Sequence, residues 1–301
     1  MIFIKKLKLI YNDKSGNRGF KNDLDAVIKI FAHANYDINI LRTTSPDDIE
    51  KHLKRSEAKE LDTVVACGGD GTINLVVNTL LKYNLPAKLG IIPAGTANDF
   101  ARYLGIEKSA TTAARIITHG HTKKIDVGTI NGKYFINVFG SGLLTNISNH
   151  VDPAIKNTLG NMAYYLKGIE KLNSIEPMPI SIKHSGGVIE EDIYFMLALN
   201  TSCAGGFDRL VDAADPSDGY LDFVALKSCS IPDIMSLIVK FMRHDHLNDD
   251  NIIYFRDTYA EIYGPDDFET NIDGEHGINL PAKIGILPSK LDVFVPHQPL
   301  A

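Results

Sequence analysis

Thr63-Val64-Val65-Ala66-Cys67-Gly68-Gly69-Asp70-Gly71-Thr72-Ile73-Asn74 decides the fold. Thr63 to Cys67 is an unbroken apolar run of the kind buried on both faces of a parallel sheet. Gly68 to Gly71 interrupts it, and Ile73 to Leu81 resumes with helical spacing. Strand, glycine turn and helix in succession form the repeating unit of an open α/β sheet. In such a sheet the turn lies at the carboxyl end of the strand, where ligands bind. Glycines let the backbone take positive φ and approach a ligand closely, and the N–H groups opening the helix favour an anion. The pattern predicts a phosphate cradle, although a tight turn whose glycines serve geometry alone fits the same residues.

Working outward, Leu7 to Tyr11 reads as a strand, followed by a turn-rich loop from Asn12 to Gly19 and a helix marked by Leu24, Val27, Ile28 and Phe31. Tyr36 to Leu41 is a second strand, and Ser45-Pro46-Asp47-Asp48 opens a helix with proline in its first turn and acids at the positive end of its dipole. Leu89 to Ile92 is a further buried strand. This alternation predicts an N-terminal doubly wound α/β domain over 1–125. After Asp126 the texture changes. Tyr134 to Phe139, Ile180 to Lys183, Ile193 to Leu199, Leu221 to Leu226 and Ile252 to Tyr263 read as strands, with helices at Ala154 to Leu172 and Ile231 to Arg243. A β-rich second domain over 126–301 is expected, its C-terminal end packing back on the first.

The chain has 301 residues, 44% hydrophobic and 23% charged, which excludes a disordered or fibrous class. Net charge is −6, from 31 Lys and Arg against 37 Asp and Glu, which argues against a nucleic-acid partner. The charge is uneven: residues 187–280 carry five basic and 19 acidic side chains, and the rest carry 26 and 18. Cys67, Cys203 and Cys229 lack metal-type spacing and fit a reducing compartment. The opening MIFIKKLKLIYNDK breaks its apolar run with lysines and reads as a strand rather than a signal peptide. No stretch reaches the ~18 uninterrupted apolar residues of a membrane span. The expectation is a cytoplasmic protein that visits a membrane surface.

Pro93-Ala94-Gly95-Thr96-Ala97-Asn98-Asp99-Phe100-Ala101 repeats the strand-to-helix pattern, so two such turns on neighbouring strands can face one site. Asn98 and Asp99 offer hard oxygen ligands suited to ribose, a triphosphate or Mg²⁺, and either one also suits a helix cap. Together with the first turn these residues resemble the catalytic domain of diacylglycerol and sphingosine kinases, and within it the bacterial soluble lipid kinases. Gly68 to Asn74 matches that family's GGDGT(I/L)NE signature up to its last residue, and Pro93 to Ala101 matches PxGTxNDFA. Asn12-Asp13-Lys14-Ser15-Gly16 resembles the NPxSG loop, with Asp13 in place of proline. Ile125-Asp126-Val127-Gly128, Asp218-Gly219-Tyr220-Leu221-Asp222 and Asp273-Gly274-Glu275 are similar to the later IDxG, DDG-LD and DGE segments.

The resemblance covers the whole chain and implies a β-sandwich-like second domain and phosphoryl transfer from ATP to a lipid hydroxyl, most directly diacylglycerol to phosphatidic acid. It implies nucleotide contacts from Asn12, Ser15, Gly68, Gly69, Gly71, Thr72, Gly95, Thr96, Asn98 and Asp99, with Asp70 and Asp99 organising Mg²⁺. It carries the general base onto Glu275, with Asp126 beside it as partner; the residues alone also read as a solvated Glu275 in an Asp-Gly hairpin turn. In the bacterial members the acidic turn resembles a structural magnesium site, which places Asp215, Asp218 and the Tyr220 carbonyl around the ion; an ordinary Asp-Gly surface turn fits as well. The implied partners are ATP and a lipid presented at a membrane surface. An exposed edge strand in either sheet would support a homodimer.

Leu75 stands where the family signature has Glu, which leaves open altered nucleotide contact, altered substrate choice or a catalytically weak nucleotide- or lipid-binding regulator. NAD kinase shares the GGDGT turn but normally has an NxGxLGFL-type second signature; sphingosine and ceramide are rivals within the lipid class. Lys14, Ser15 and Arg18 are candidates for phosphate contact or solvated loop charges. His119, His121, Lys123 and Lys124 read as a solvated helix end rather than a basic cluster facing an anionic membrane. Ile231, Ile234, Met235, Ile238, Phe241 and Met242 read as a core-facing helix stripe rather than a membrane-docking surface. Gly140-Ser141-Gly142 lacks the third glycine of a dinucleotide fingerprint.

Overall fold

The computed structural model describes residues 4–12, 20–54, 56–142, 176–203, 209–266 and 270–297. Ser15 with its neighbours Lys14 and Arg18, and the helix expected over Ala154 to Leu172, lie outside the described residues. The chain forms two compact units, one containing everything up to Val127 with Lys133–Ile136 and the chain from Leu287, the other containing Gly128–Gly132 and Asn137–Ile286.

The first unit opens with β1 (Lys5–Asn12), α1 (Phe20–His33), β2 (Tyr36–Thr43), α2 (Pro46–Leu53), β3 (Thr63–Gly68), α3 (Asp70–Lys82) and β4 (Lys88–Pro93). The strands lie in the order β2-β1-β3-β4, all parallel. Every residue of β3 is buried, as expected of a central strand covered on both faces. The chain then adds α4 (Asp99–Tyr103), α5 (Ala110–His119), β5 (His121–Ile130) and β6 (Lys133–Phe135). Right-handed crossovers put α1, packed on α5, over one face of the sheet and α2, packed on α3, over the other. Leu9, Val65, Ile73, Val76, Leu89, Ile91, Phe100 and Ile125 form the shared core. Because β2 and β3 lie on opposite sides of β1, the strand order switches between β1 and β3, and ligands of open sheets bind at the carboxyl ends flanking such a switch. Asn12 and Gly68 stand at those ends, with Tyr11 and Cys67 in register just before them.

The second unit is antiparallel: β7 (Val138–Gly142), β8 (Met178–His184), β9 (Gly187–Leu199), β10 (Leu221–Lys227), α6 (Ile231–Met242), β11 (Ile252–Asp257), β12 (Tyr259–Tyr263), β13 (Thr270–Ile272), β14 (Glu275–His276) and the first part of β15 (Ala282–Val295), whose residues from Leu287 belong to the first unit. The strands run β14-β13-β7-β9-β8-β12-β15, and β9 also pairs β10, which pairs β11. Two expected strands divide. Tyr134 to Phe139 breaks at Ile136 and Asn137. Ile252 to Tyr263 breaks at Thr258, because the buried Asp257 carboxylate accepts the N–H groups of Ser185 and Thr258 at 2.8 and 2.7 Å and turns the chain. The apolar stripe expected to face a core is only partly buried: Ile234 and Leu237 are inside, whereas Ile231, Met235, Val239 and Met242 are exposed. The helix docks by one narrow seam, and its composition is apolar around most of its girth. No helix among the described residues is long and apolar enough to cross a membrane.

Candidate active site

Two strand-to-helix turns meet in the first unit. Gly69 is the N-cap of α3 with extended backbone, φ −87° and ψ −177°. The Gly68 carbonyl accepts the Ala94 N–H at 2.8 Å and the Asn98 Nδ2–H at 3.1 Å, so the second turn hangs on the first. A Cβ on Gly95 would lie 2.4 Å from Gly69 Cα, and one on Gly68 would lie 2.4 Å from Thr72 Oγ1. Glycine is therefore required here for space. The expected left-handed backbone belongs instead to Asn98, at φ 56° and ψ 49°, a conformation asparagine tolerates better than most residues.

Asp70, in the first turn of α3, reaches across to the start of α4. Its Oδ1 accepts the Phe100 N–H at 3.4 Å. Burial pushes its carboxyl pKa above the ordinary value and the nearby Asp99 charge adds to the rise, opposed by the backbone N–H groups of Phe100, Asp99 and Asn98. Asp99 is 5% exposed and pairs with Arg102 at 2.8 Å. Asn98 is buried, and its Oδ1 has no hydrogen-bond partner among the described residues. Two carboxylates and an unsatisfied amide oxygen form a donor set that fits a hard divalent cation. Lys108 Nζ donates to the Thr96 carbonyl at 2.7 Å and holds the second turn from its far side.

Asn12 ends β1, half-buried. Gly71 and the buried Thr72 lie in the first turn of α3. Leu75 packs half-buried against the first unit's core, so the side chain at this position is committed to apolar contact. One turn further along, Asn78 Nδ2 contacts the Asn74 carbonyl at 3.0 Å and the Tyr134 carbonyl at 3.1 Å, while its Oδ1 accepts the Tyr134 N–H at 3.1 Å. Asp126 is 1% exposed on β5, and its Oδ1 accepts the Ser289 N–H at 2.6 Å.

Glu275 belongs to the second unit, exposed on the two-residue β14. The hairpin before it turns at Asp273 and Gly274, both at positive φ. In the acidic turn, Asp215 Oδ1 accepts the Ser217 N–H at 3.1 Å and its hydroxyl at 2.6 Å, and Asp218 Oδ1 accepts the Tyr220 N–H at 2.9 Å. The second oxygen of Asp218 is ion-paired with Arg256, which lies over the Tyr220 ring and also approaches Asp222 at 3.3 Å. Burial raises the Asp222 carboxyl pKa despite the Tyr254 hydroxyl donating to it at 2.7 Å. In both sets a guanidinium competes with a cation, Arg256 at Asp218 and Arg102 at Asp99, and the unsatisfied Asn98 Oδ1 is what favours the set at Asp70 and Asp99. No group of three or more His, Cys, Asp or Glu side chains stands ready to hold a metal among the described residues.

The diacylglycerol kinase catalytic domain family matches residues 6–130, and the family described as YegS C-terminal NAD kinase beta sandwich-like domain matches 137–295. A Bacillus subtilis diacylglycerol kinase is 36% identical over 98% of both chains. The chain belongs to the diacylglycerol kinase family. A Staphylococcus aureus family member named diacylglycerol kinase is 35% identical over 98% of this chain and 93% of its own. A Bacillus anthracis diacylglycerol kinase crystal structure superposes with TM-score 0.81 and 28% identity over 98% of both chains. As a family member the protein is a lipid kinase with the expected α/β and β-sandwich-like architecture. Sequence reading missed three contributors. Arg102, three residues after Asp99, is visible from helical spacing; Asn78, four after Asn74, is visible the same way. Lys108 acts through a loop and leaves no periodic signal.

Proposed function

We propose that this lipid kinase transfers the γ-phosphoryl group of ATP to the hydroxyl of diacylglycerol, giving phosphatidic acid. The observation that carries the reading is the contact of Gly69 with Gly95, a Cβ-free approach that leaves the N–H groups at the start of α3 beside the second turn. Backbone donors gathered this way suit a polyphosphate. Asn12, at the neighbouring strand end, would contact the same nucleotide, as the family resemblance implies for Ser15. Asp70, Asp99 and Asn98 would hold Mg²⁺, which when bound offsets charge developing on the transferred group. Arg102 orients Asp99, and Asp70 fixes the start of α4.

Glu275 then acts as general base for the lipid hydroxyl, with Asp126 the second carboxylate of the reaction. Its exposure is compatible with that task, since a base must reach its substrate's proton. The turn at Asp215, Asp218 and Tyr220 is assigned the structural Mg²⁺ in competition with Arg256. A membrane surface presents the substrate. The test is purified protein with labelled ATP and Mg²⁺ against diacylglycerol, sphingosine, phosphatidylglycerol and NAD. Label in phosphatidic acid is expected, with Glu275→Gln lowering kcat by about 10²- to 10⁴-fold. Label only in the NAD product, or full activity in Glu275→Gln, overturns the corresponding part of the reading.

A further inference from the structure

A two-residue hairpin turn needs no carboxylate reaching outside it, yet Asp273 reaches outside it. With φ 49° at Asp273 and 92° at Gly274 the turn has the backbone of a type I′ hairpin. Asp273 is 8% exposed, and its Oδ1 accepts two N–H groups, from Asn137 at 2.9 Å and from Val138 at 2.8 Å. Its own N–H donates to the Val138 carbonyl at 2.9 Å. These three bonds join the hairpin to the start of β7. Asn137 is in turn fixed from the end of β9: its carbonyl accepts the Asn200 N–H at 2.9 Å, and the Thr201 hydroxyl donates to its side-chain oxygen. Within the hairpin, Asn271 Oδ1 accepts the Gly274 N–H at 2.7 Å.

Glu275 follows on β14, whose pairs Asn271↔His276 and Ile272↔Glu275 are continued by the Gly277 N–H to the Thr270 carbonyl at 2.8 Å, while β13 pairs β7 over Thr270–Ile272. These bonds anchor the base of the hairpin and leave the direction of its tip, beside Glu275, to the turn. The Glu275 carboxylate is exposed, so no packed wall fixes it. We propose that Asp273 is the positioning residue for Glu275, setting the hairpin's direction by clamping it to the backbone of Asn137 and Val138. This rests on Glu275 being the base. The clamp needs an oxygen acceptor and a residue content at positive φ; it does not need the charge.

Asparagine keeps both requirements, and glycine keeps the backbone while removing the acceptor. The assay is ATP- and diacylglycerol-dependent kinase activity of Asp273→Asn, Asp273→Gly and Glu275→Gln, each checked by a thermal melt. Asp273→Gly should lower kcat by about 10- to 100-fold, the scale of a 1 Å misplacement, with KM for ATP unchanged. Asp273→Asn should keep kcat within about threefold, the charge being dispensable to a clamp that needs only an acceptor. Wild-type kcat in Asp273→Gly beside an inactive Glu275→Gln overturns the proposal and leaves the base assignment standing. Full activity in Glu275→Gln removes both. If Asp273→Gly fails to fold, Asp273→Asn decides: retained kcat supports the clamp, and a loss of tenfold or more at a normal melt would, on the same scale, overturn it.

Discussion

Replacing Gly95 with alanine tests whether the two glycine turns must touch. Carbon atoms rest at about 3.5 to 4.0 Å, whereas the new Cβ would stand 2.4 Å from Gly69 Cα and 3.2 Å from its nitrogen. The atoms in the way are backbone, so the turns must separate by roughly 1 Å. Overpacking of this kind costs about 1–3 kcal/mol, offset by about 0.4–1 kcal/mol from a stiffer unfolded chain. The kinetic penalty should be larger, about 100-fold in kcat/KM for ATP, because the displaced group is the cradle itself. Gly69→Ala is the control on the same contact. Its Cβ would meet Gly95 Cα at 3.4 Å, an ordinary separation. It should lose about 1 kcal/mol from the start of α3 and lower kcat/KM for ATP clearly less than Gly95→Ala does. The assay is ATP-dependent lipid phosphorylation across ATP concentrations, with melting curves for both variants. Equal kinetic damage from the two substitutions, or wild-type kinetics in Gly95→Ala, would refute the argument that this contact shapes the nucleotide site.

Asn78→Ala should cost about 1–3 kcal/mol by stranding the Asn74 and Tyr134 backbone groups it serves, read as a lower melting temperature that Asn78→Asp only partly restores. His246 predicts a pH dependence. Its Nε2–H donates to the Leu210 carbonyl at 2.8 Å while Nδ1 is buried without a partner among the described residues. Burial holds its pKa below the ordinary 6.5, with His244 adding to the effect and the Leu210 carbonyl, Asp212 and Asp245 opposing it. The unfolded chain therefore takes up the proton first. The contribution is whole above pH 6.5 and is lost as pH falls from there through the lower folded value. Melting temperature should drop across that interval in the wild type and less in His246→Gln; equal slopes would count against the assignment. Arg256→Ala should lower stability in EDTA and enlarge the stabilisation by Mg²⁺, since it frees Asp218. An unchanged Mg²⁺ response in calorimetry would remove the metal from the Asp215 turn.

The first unit was legible because its signals are local. Thr63 to Cys67 is apolar without a break, and only a strand covered on both faces accepts that. The glycine turns announced close backbone approach, though the reason proved to be the contact of Gly69 with Gly95 rather than left-handed backbone. Asn98 took that conformation, and no residue-type pattern distinguishes an asparagine capping a helix from one turning the chain. The second unit was read less well. Ile252 to Tyr263 has no proline or glycine to mark its break; the cause is Asp257 capturing Ser185, which is distant in sequence. The apolar helix over Ile231–Met242 misled because periodicity reports a stripe and cannot report how wide a seam the protein offers it. Asp273 looked like a turn residue and is one, but its second task depends on where β7 begins.

The last strand gives the chain an unusual order of construction. Its first half pairs with β12, and Val293 then pairs with Leu89 of β4, while Leu291, Phe294 and Val295 enter the core built from the first residues. During synthesis from the N-terminus, β4 emerges long before its neighbour and waits with an uncovered edge while the whole of the second unit is made. The strand-to-helix turns at Gly68 and Gly95 follow the two strands nearest that edge. The first unit thus closes its sheet only after the second has been made, and a chain cut short before Leu291 leaves the β4 edge bare and the first unit's core unfinished.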